Sequence, residues 1–333
     1  MARDYRDQYP DASLDVCQEN VDDFWKFIAE RHAIWERRAR GEDRPWTDNP
    51  ILATTHYTNV YRELDRGTLW FQARVAAQMN GPDKRINLLR AAVTYRQIGR
   101  PETFEFCTLG PVHCLLDPER LADVLTELKA EGQPRSTNAY VCCRGDDAAI
   151  DTARWLANGG AEAILARIDK WRSAEMNWNT LKCIPGIGGF LAYEVLTDLL
   201  QCKILYDGDG NILNEDDWAN VGPGSTEGLR LLYPSSPKSM GLYKMEGLRD
   251  LARHYLRKLG LKLTPPPGTI AYQLDRGPLT LRGVEHCLCE YSKYWLQKRG
   301  LGKSRREHVC DGHGGLTEKH LRRCVDPVSY PAV

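Results

Sequence analysis

Apolar residues recur at spacings of three and four along most of the chain, which is the period of an α-helix with one buried face. In the first such stretch, Val21, Phe24, Ile28 and Ile34 fall on one side of a helix predicted to end near Arg40. The same period, interrupted by glycine or proline, predicts further helices. They are predicted over residues 51–64, 69–78, 84–97, 118–131, 146–157, 161–171, 180–200, 240–259 and 281–298.

Strand signals are few and short. Residues 139–143 and 203–206 are strand candidates, whereas residues 207–217 and 263–268 have the glycine-, acid- or proline-rich composition of loops. The pattern therefore predicts a mainly α protein. We expect an N-terminal extension over residues 1–20, a helical region with two lobes over residues 21–299, and a basic tail over residues 300–333.

The composition is that of a folded globular protein, with 42% hydrophobic and 27% charged residues. No apolar run approaches the ~20 residues that cross a bilayer, and residues 1–10 lack the apolar core of a signal peptide. We therefore expect no membrane partner and a cytoplasmic location. Eleven cysteines, an odd number, favour reduced thiols over a disulfide framework. Because 45 basic residues balance 45 acidic ones, nucleic-acid binding would depend on local basic patches.

A helix-hairpin-helix is predicted at residues 181–200, where Pro-Gly-Ile-Gly-Gly separates two apolar segments. Glycines let the backbone approach a phosphate, and the amides that open the second helix lie at its positive end. Gly186, Gly188 and Gly189 are therefore candidate DNA-phosphate ligands. The alternative is a tight turn in which glycine only relieves steric crowding between two helices.

Acidic residues follow this hairpin. The segment resembles the hairpin of the DNA-glycosylase superfamily, in which a catalytic aspartate lies downstream of the hairpin. Asp198 falls too early for that position, whereas Asp216 and Asp217 lie further along the chain. An acid at such a place can act as a general base or orient an amine, and Asp217 is our candidate. Alternatively, Asp216 and Asp217 are solvated loop acids.

A second glycine turn follows the two aspartates. Gly222, Gly224 and Ser225 belong to a Gly-Pro-Gly-Ser sequence, and a helix is predicted to begin near Ser225 with Ser225 or Thr226 as its cap. Free amides at this helix start would attract an anion. We therefore add Gly222, Gly224 and Ser225 to the candidate phosphate ligands.

Polar residues interrupt the apolar pattern at residues 58–65. Asn59 and Arg62 are three apart, so we expect them to share a helical face near Asp65. Arg62 has the planar donor geometry to grip a phosphate, and Asn59 can read a base edge or hold an oxyanion. The alternative is a buried Asn-Arg-Asp network that ties helices together. On the last predicted helix, Glu285 is either a site carboxylate or the partner of an arginine.

The ordered set of these motifs resembles the phage alpha-glutamyl/putrescinyl thymine pyrophosphorylase family, also described as amino-acid:DNA transferases. The resemblance covers roughly residues 21–299, and the helical domain of this family also occurs beside a P-loop in the related 5-hydroxymethyluracil DNA kinases. The motifs that carry the resemblance are RPWT (44–47), TNVYRELD (58–65), PGIG (185–188), DW (217–218), VGPGS (221–225) and VEHCLCEYSKY (284–294).

The resemblance implies a transferase with a helical, glycosylase-like fold. Its DNA substrate would carry 5-(pyro)phosphoryloxymethyluracil, and an amino acid or polyamine would replace the phosphate or pyrophosphate to give a hypermodified thymine. No cofactor beyond this amine co-substrate is implied, and a phage-encoded enzyme would work in the host cytoplasm. Carried over to this chain, the site would consist of Asn59, Arg62, Asp65, Asp217, the turn at residues 222–225 and Glu285.

Two other functions remain open. A DNA glycosylase acting on a modified base would use a loop acid to stabilise a sugar cation. A non-catalytic DNA-binding module would use the hairpin and the basic stretch at residues 298–306. A kinase nucleotide-binding loop is not expected, because Gln297 stands where the first glycine of such a loop would precede the GKS sequence at residues 302–304.

The tail contains a two-plus-two set of metal-ligand residue types. Cys310 and His313 are followed by His320 and Cys324, with spacings that are compatible with Zn²⁺. The short loop between the two pairs argues against a site. Zinc is therefore a secondary candidate that would order an otherwise weakly structured tail.

Overall fold

The computed structural model describes residues 16–137 and 145–301, and within these ranges the chain forms helices and loops and no β-strand. The predicted mainly α class is confirmed. The described residues form two compact units: unit 1 consists of residues 16–65 and 218–301, and unit 2 of residues 66–137 and 145–217. The α-helices are α1 (Gln18–Ala39), α2 (Pro50–Thr54), α3 (Arg66–Arg74), α4 (Lys84–Ile98), α5 (Pro101–Glu105), α6 (Pro111–Leu116), α7 (Pro118–Ala130), α8 (Asp146–Trp155), α9 (Ala161–Trp171), α10 (Ala174–Leu181), α11 (Gly189–Gln201), α12 (Pro223–Leu232), α13 (Gly241–Lys258), α14 (Ile270–Leu274) and α15 (Leu281–Lys298).

Unit 1 is organised around α15, which is buried along most of its length. Helix α12 crosses α15 at two glycines. A Cβ atom on Gly228 would lie 2.4 Å from the Leu288 carbonyl oxygen, and one on Gly224 would lie 2.4 Å from Cys289 Sγ. Only residues without a side chain permit this approach, so the start of α12 lies directly against α15. Helix α1 packs on α15 through stacked and edge-to-face aromatic rings.

Unit 2 has the buried second half of α4 at its centre, packed against α11. Arg96 Nε donates to Asp198 Oδ2 at 2.6 Å, and Arg96 Nη1 donates to Glu194 Oε2 at 3.2 Å. These three side chains are at most 5% exposed. A buried charge is tolerated only when it is paired, so this ion-pair network connects α4 to α11. The carboxylate of Asp198 is engaged in the core of the unit.

The helices predicted over residues 84–97, 118–131, 146–157 and 240–259 are present as α4, α7, α8 and α13, with ends that differ by at most two residues. The single helix predicted over residues 69–78 is wrong, because α3 ends at Arg74 and Ala76–Gln78 forms a separate 3₁₀ helix. The predictions at residues 161–171 and 281–298 coincide with α9 and α15. The hairpin segment forms two helices, because α10 ends at Leu181 and α11 begins at Gly189. The period was informative in these segments because each buries one continuous apolar stripe.

The single helix predicted over residues 51–64 is wrong. Helix α2 ends at Thr54, the chain then runs as a loop, and only Arg62–Leu64 forms a short 3₁₀ helix. The strand predicted at residues 203–206 is also wrong, because this segment makes only an isolated antiparallel bridge between Tyr206 and Ile212. The strand predicted at residues 139–143 lies outside the described residues.

Candidate functional site

The loop that replaces the predicted helix gathers polar groups around Asp65. The Asn59 backbone N–H donates to Asp65 Oδ1 at 2.9 Å, and Arg62 Nε lies 2.8 Å from Asp65 Oδ2. The Asn59 side-chain amide donates to the Leu64 carbonyl at 2.8 Å. The expectation that Asn59 and Arg62 share a helical face is therefore wrong. The loop is stable because these side chains satisfy backbone groups that a helix would have paired internally.

The first turns of α15 supply the second part of the site. Thr280 caps the helix by accepting the Gly283 N–H at 3.0 Å. Arg282 Nη1 then donates to Glu285 Oε2 at 2.8 Å, and both residues are buried. Glu285 therefore has the arginine partner that the sequence left as one of two alternatives. This pair fixes the position of the Glu285 carboxylate on the first turns of α15.

The turn at residues 222–225 lies beside this carboxylate. A Cβ atom on Gly222 would stand 4.0 Å from Glu285 Oε1. The helix begins at Pro223, with Gly222 at the N-cap position, so the expected cap at Ser225 is wrong. Ser225 is fully buried and its hydroxyl donates to the Gly222 carbonyl at 3.1 Å. Unit 1 thus brings the predicted turn and Glu285 together, with Gly222 as the member nearest the carboxylate.

His286 joins the two parts of the site. Its Nε2 lies 2.5 Å from the Thr58 hydroxyl, and the residue is 6% exposed. Burial lowers the pKa of His286 well below its ordinary value, and surrounding positive charges lower it further. Those charges belong to Arg62, Arg31, Arg282 and Lys293. We call Arg31, Thr58, Asn59, Arg62, Asp65, Arg282, Glu285 and His286 the polar cluster.

The cluster carries both signs of charge in a partly dry environment. Burial raises the pKa of Asp65, and the adjacent Arg62 guanidinium opposes that shift. Burial also raises the pKa of the Cys289 thiol, to about 11, so this thiol stays protonated near neutral pH. Cys289 therefore does not supply a thiolate to the site near neutral pH.

The low pKa of His286 predicts a pH-dependent stability. Between the folded-state pKa and the ordinary value near 6.5, the unfolded chain binds more protons than the folded protein. Stability is therefore complete above this window and is lost as the pH falls through it, with a slope approaching about 1.4 kcal/mol per pH unit. Urea unfolding from pH 8 to pH 5 is expected to show a shallower slope for His286→Gln than for the unsubstituted protein. Parallel slopes would contradict this assignment; the buried His32 is common to both proteins and cancels.

The predicted hairpin lies in unit 2. Gly186 has a φ of +78°, and a Cβ there would be 3.0 Å from Thr152 Oγ1, so the turn requires glycine. Thr152 Oγ1 donates to the Pro185 carbonyl at 2.8 Å. Gly188 is the N-cap residue of α11 and Gly189 its first residue. The first amides of this helix therefore lie at the turn, as an anion site would require.

The two aspartates after the hairpin differ from each other in exposure. Asp216 is buried, with 6% exposure, so the alternative of a solvated acid is wrong for this residue. Asp217 is exposed, and its Oδ2 accepts the Asn214 N–H at 2.6 Å. The side chain of Asp217 thus braces its own loop in unit 2, and its catalytic role stays a prediction.

Similarity to known proteins identifies the family. The family model described as "5-hmdU DNA kinase, helical domain" matches residues 18–300. The chain belongs to this helical-domain family. A relative named 5-hmdU DNA kinase, from Bacillus phage SP10, is 29% identical over 323 residues, which cover 91% of this chain and 48% of the relative. The chain thus spans about half the length of this curated relative. No solved structure matches it.

This match confirms the relation to the kinase helical domain that the motifs indicate. Sequence reasoning missed five cluster members or neighbours in this helical-domain protein. Arg31 had a detectable signal, because it is a charge on the otherwise apolar stripe of α1. His286 lay within a quoted motif without being singled out. The missed residues are Arg31, Thr58, Arg282, His286 and Glu290.

Within residues 16–137 and 145–301, no group of three or more histidine, cysteine or acidic residues is placed to hold a metal ion. The zinc candidates Cys310, His313, His320 and Cys324 lie outside the described residues. No helix in the described part of this family member has the length and apolar character needed to cross a membrane.

Proposed function

We propose that the protein replaces the phosphate or pyrophosphate on the 5-methylene group of a modified uracil in DNA with an amino acid or another amine. Membership of the kinase helical-domain family supports a role in modified-uracil DNA metabolism. The motif resemblance to amino-acid:DNA transferases supports the finer activity. The polar cluster of unit 1 is the observation that carries the proposal, because it combines arginines with carboxylates in a mostly buried setting.

The reaction needs positive charge and a base. The bond between the 5-methylene carbon and the phosphate oxygen breaks, and its electron pair leaves with the phosphate. A bond forms between that carbon and the amine nitrogen, whose proton passes to a carboxylate. Arginines stabilise the charge that develops on the leaving group, and their effect is largest where water is excluded. Arg62 suits this role because its side chain is only 14% exposed.

Glu285 is the carboxylate of unit 1 that we assign to the amine. Its Oε2 is held by Arg282 at 2.8 Å, while its Oε1 faces the glycine at position 222. Gly222 lets the turn lie close to this carboxylate, because a Cβ atom there would already be in van der Waals contact with it. An amine is mostly protonated near neutral pH, so a fixed carboxylate can first orient the ammonium form and then accept its proton.

The hairpin of unit 2 is proposed to bind the DNA backbone. Its support is the glycine-dependent turn and the exposed amides at the start of α11. Lys182 lies 3.7 Å from the ring of Trp178, next to the turn, and adds a positive charge. A glycosylase-like helical fold with extrusion of the base is proposed on the same grounds.

An oligonucleotide assay tests the proposed activity. The substrate carries 5-phosphomethyl or 5-pyrophosphorylmethyl uracil, and the readouts are phosphate release and a mass gain equal to the amine. Glu285→Gln is expected to lower the transfer rate about 100-fold or more, the usual contribution of a general base. Glu227→Gln is the matched control, because Glu227 is an exposed acid of α12. Equal rates for the two variants would contradict the role of Glu285.

Asp217 is the competing base. Asp217→Asn is expected to remove transfer while DNA binding persists if the sequence prediction is correct, and to leave the rate unchanged if the acid only braces its loop. Asp209→Asn, an exposed acid in the same loop, is a better control than the buried Asp216. The pair of rates for Glu285→Gln and Asp217→Asn decides which acid accepts the proton.

A DNA glycosylase is the second candidate, and the hairpin of unit 2 is the observation that favours it. Such an enzyme leaves an abasic site, which alkali converts to a strand break, and releases a free base without any amine. Abasic product from the same oligonucleotide would replace our proposal. A non-catalytic binding module would show salt-dependent binding and no covalent product.

A further inference from the structure

We propose that a cavity in unit 1 is the subsite that binds the phosphate or pyrophosphate group of the substrate. Its ligand chemistry is an oxyanion of phosphorus, and the principal ligand is Arg31. The inference deepens the proposed function and rests on it for the identity of the molecule that carries the anion. The binding itself can be measured without any transfer reaction.

The cavity is an open recess with an empty volume of about 290 Å³, which includes space continuous with solvent. It lies between α1 and the loop after α2, and it reaches Asn59 of the polar cluster. Its polar and aromatic lining includes Arg31, Trp35, Arg38, His56, Tyr57 and Asn59. Two arginines and no carboxylate line the cavity, so it favours an anion over an ammonium group.

Arg31 provides the second observation. The residue is 4% exposed, and its Nη2 donates to Cys287 Sγ at 3.5 Å, a weak acceptor. Its guanidinium also lies 5.0 Å from the Phe27 ring centroid. Within the described part of the chain, the buried Nε and Nη1 atoms have no hydrogen-bond partner. Unsatisfied donors on a buried cation cost free energy, and such exceptions in folded proteins call for an explanation such as a missing ligand.

Arg31 can bind the incoming anion together with its neighbour Arg62. Arg62 already lies 2.8 Å from Asp65, whereas Arg31 has donors that are not satisfied by the protein. Arg38 lines the same cavity from one side, and Trp35 offers an aromatic wall on which a planar base can pack. These features fit a phosphorylated pyrimidine better than an amine.

Binding of inorganic pyrophosphate to the full chain tests the proposal. Isothermal titration is expected to show binding that is at least about tenfold weaker in Arg31→Met, the loss expected when charge-assisted hydrogen bonds are removed. Arg38→Met is expected to weaken binding by a smaller factor. Arg40→Met is the control, because Arg40 lies at the end of the same helix, is exposed and pairs with Glu42. Thermal unfolding of each variant confirms that it is folded.

Each outcome bears on the proposal. Equal pyrophosphate affinity in the unsubstituted protein and Arg31→Met, or no binding by either, overturns it. If Arg31→Met does not fold, the exposed lining residue Arg38 provides the test. Unchanged pyrophosphate affinity in Arg38→Met then overturns the proposal. Displacement of pyrophosphate by glutamate with the same dependence on Arg31 would assign the cavity to an amino-acid carboxylate instead. If the unsubstituted protein binds pyrophosphate in an Arg31-dependent way but transfers no amine, the proposed function is overturned and the assignment of this subsite is not.

Discussion

Arg62→Ala is expected to lower the rate of amine transfer at least about 100-fold in protein that remains folded. Arg62 lies against Asp65 in a setting where its side chain is 14% exposed, so its charge acts through little water. Removing it deletes both the positive charge and the planar donor geometry that a phosphate leaving group requires. Arg62→Lys is also expected to be poor, because a single ammonium cannot reproduce that geometry.

Single-turnover rates on the modified oligonucleotide, normalised to the folded fraction by circular dichroism, measure the effect. Arg40→Ala removes an exposed arginine of unit 1 and is expected to retain the full rate. If Arg62→Ala unfolds the protein while its folded fraction keeps full specific activity, Arg62 serves only the network around Asp65. The sequence alternative of a structural Asn-Arg-Asp network would then be the correct one.

Asp198→Ala is expected to lower the free energy of unfolding by about 3–5 kcal/mol, the usual cost of removing one partner from a buried ion pair. The substitution leaves Arg96 with Glu194 at 3.2 Å as the other acid of the network, and both side chains are 5% exposed. Because the charge that remains on Arg96 is out of water, solvent does not compensate for the lost carboxylate.

The matched comparison uses an exposed pair in the same unit. Arg85 donates to both carboxylate oxygens of Asp169, but these side chains are 33% and 48% exposed. Asp169→Ala is therefore expected to cost no more than about 1 kcal/mol. Urea unfolding of the two variants gives both values. Similar losses for Asp198→Ala and Asp169→Ala would mean that burial of the Arg96 network does not determine its contribution.

The sequence predicted helices well where one apolar stripe runs along the whole element, as in α9 and α15. It failed at residues 55–61, where two hydrogen bonds stabilise a loop. The Asn59 backbone N–H donates to the Asp65 carboxylate, and the Asn59 side chain donates to the Leu64 carbonyl. No helical period encodes such hydrogen bonds. Glu285 and Gly222 were both predicted, but their proximity depends on how α12 crosses α15. The donors left without partners on Arg31 depend on packing from several elements, which spacing along one helix does not reveal.

Unit 1 is assembled from two stretches of chain separated by the whole of unit 2. During synthesis, α1 leaves the ribosome long before α15, on which its aromatic face packs. Unit 2 is continuous and can fold as soon as it has emerged, because domains generally fold as units during translation. The apolar face of α1 therefore lacks its packing partner until α15, the last described helix, has been synthesised. Chaperone supply and translation rate are accordingly expected to influence the yield of folded protein more strongly through unit 1 than through unit 2.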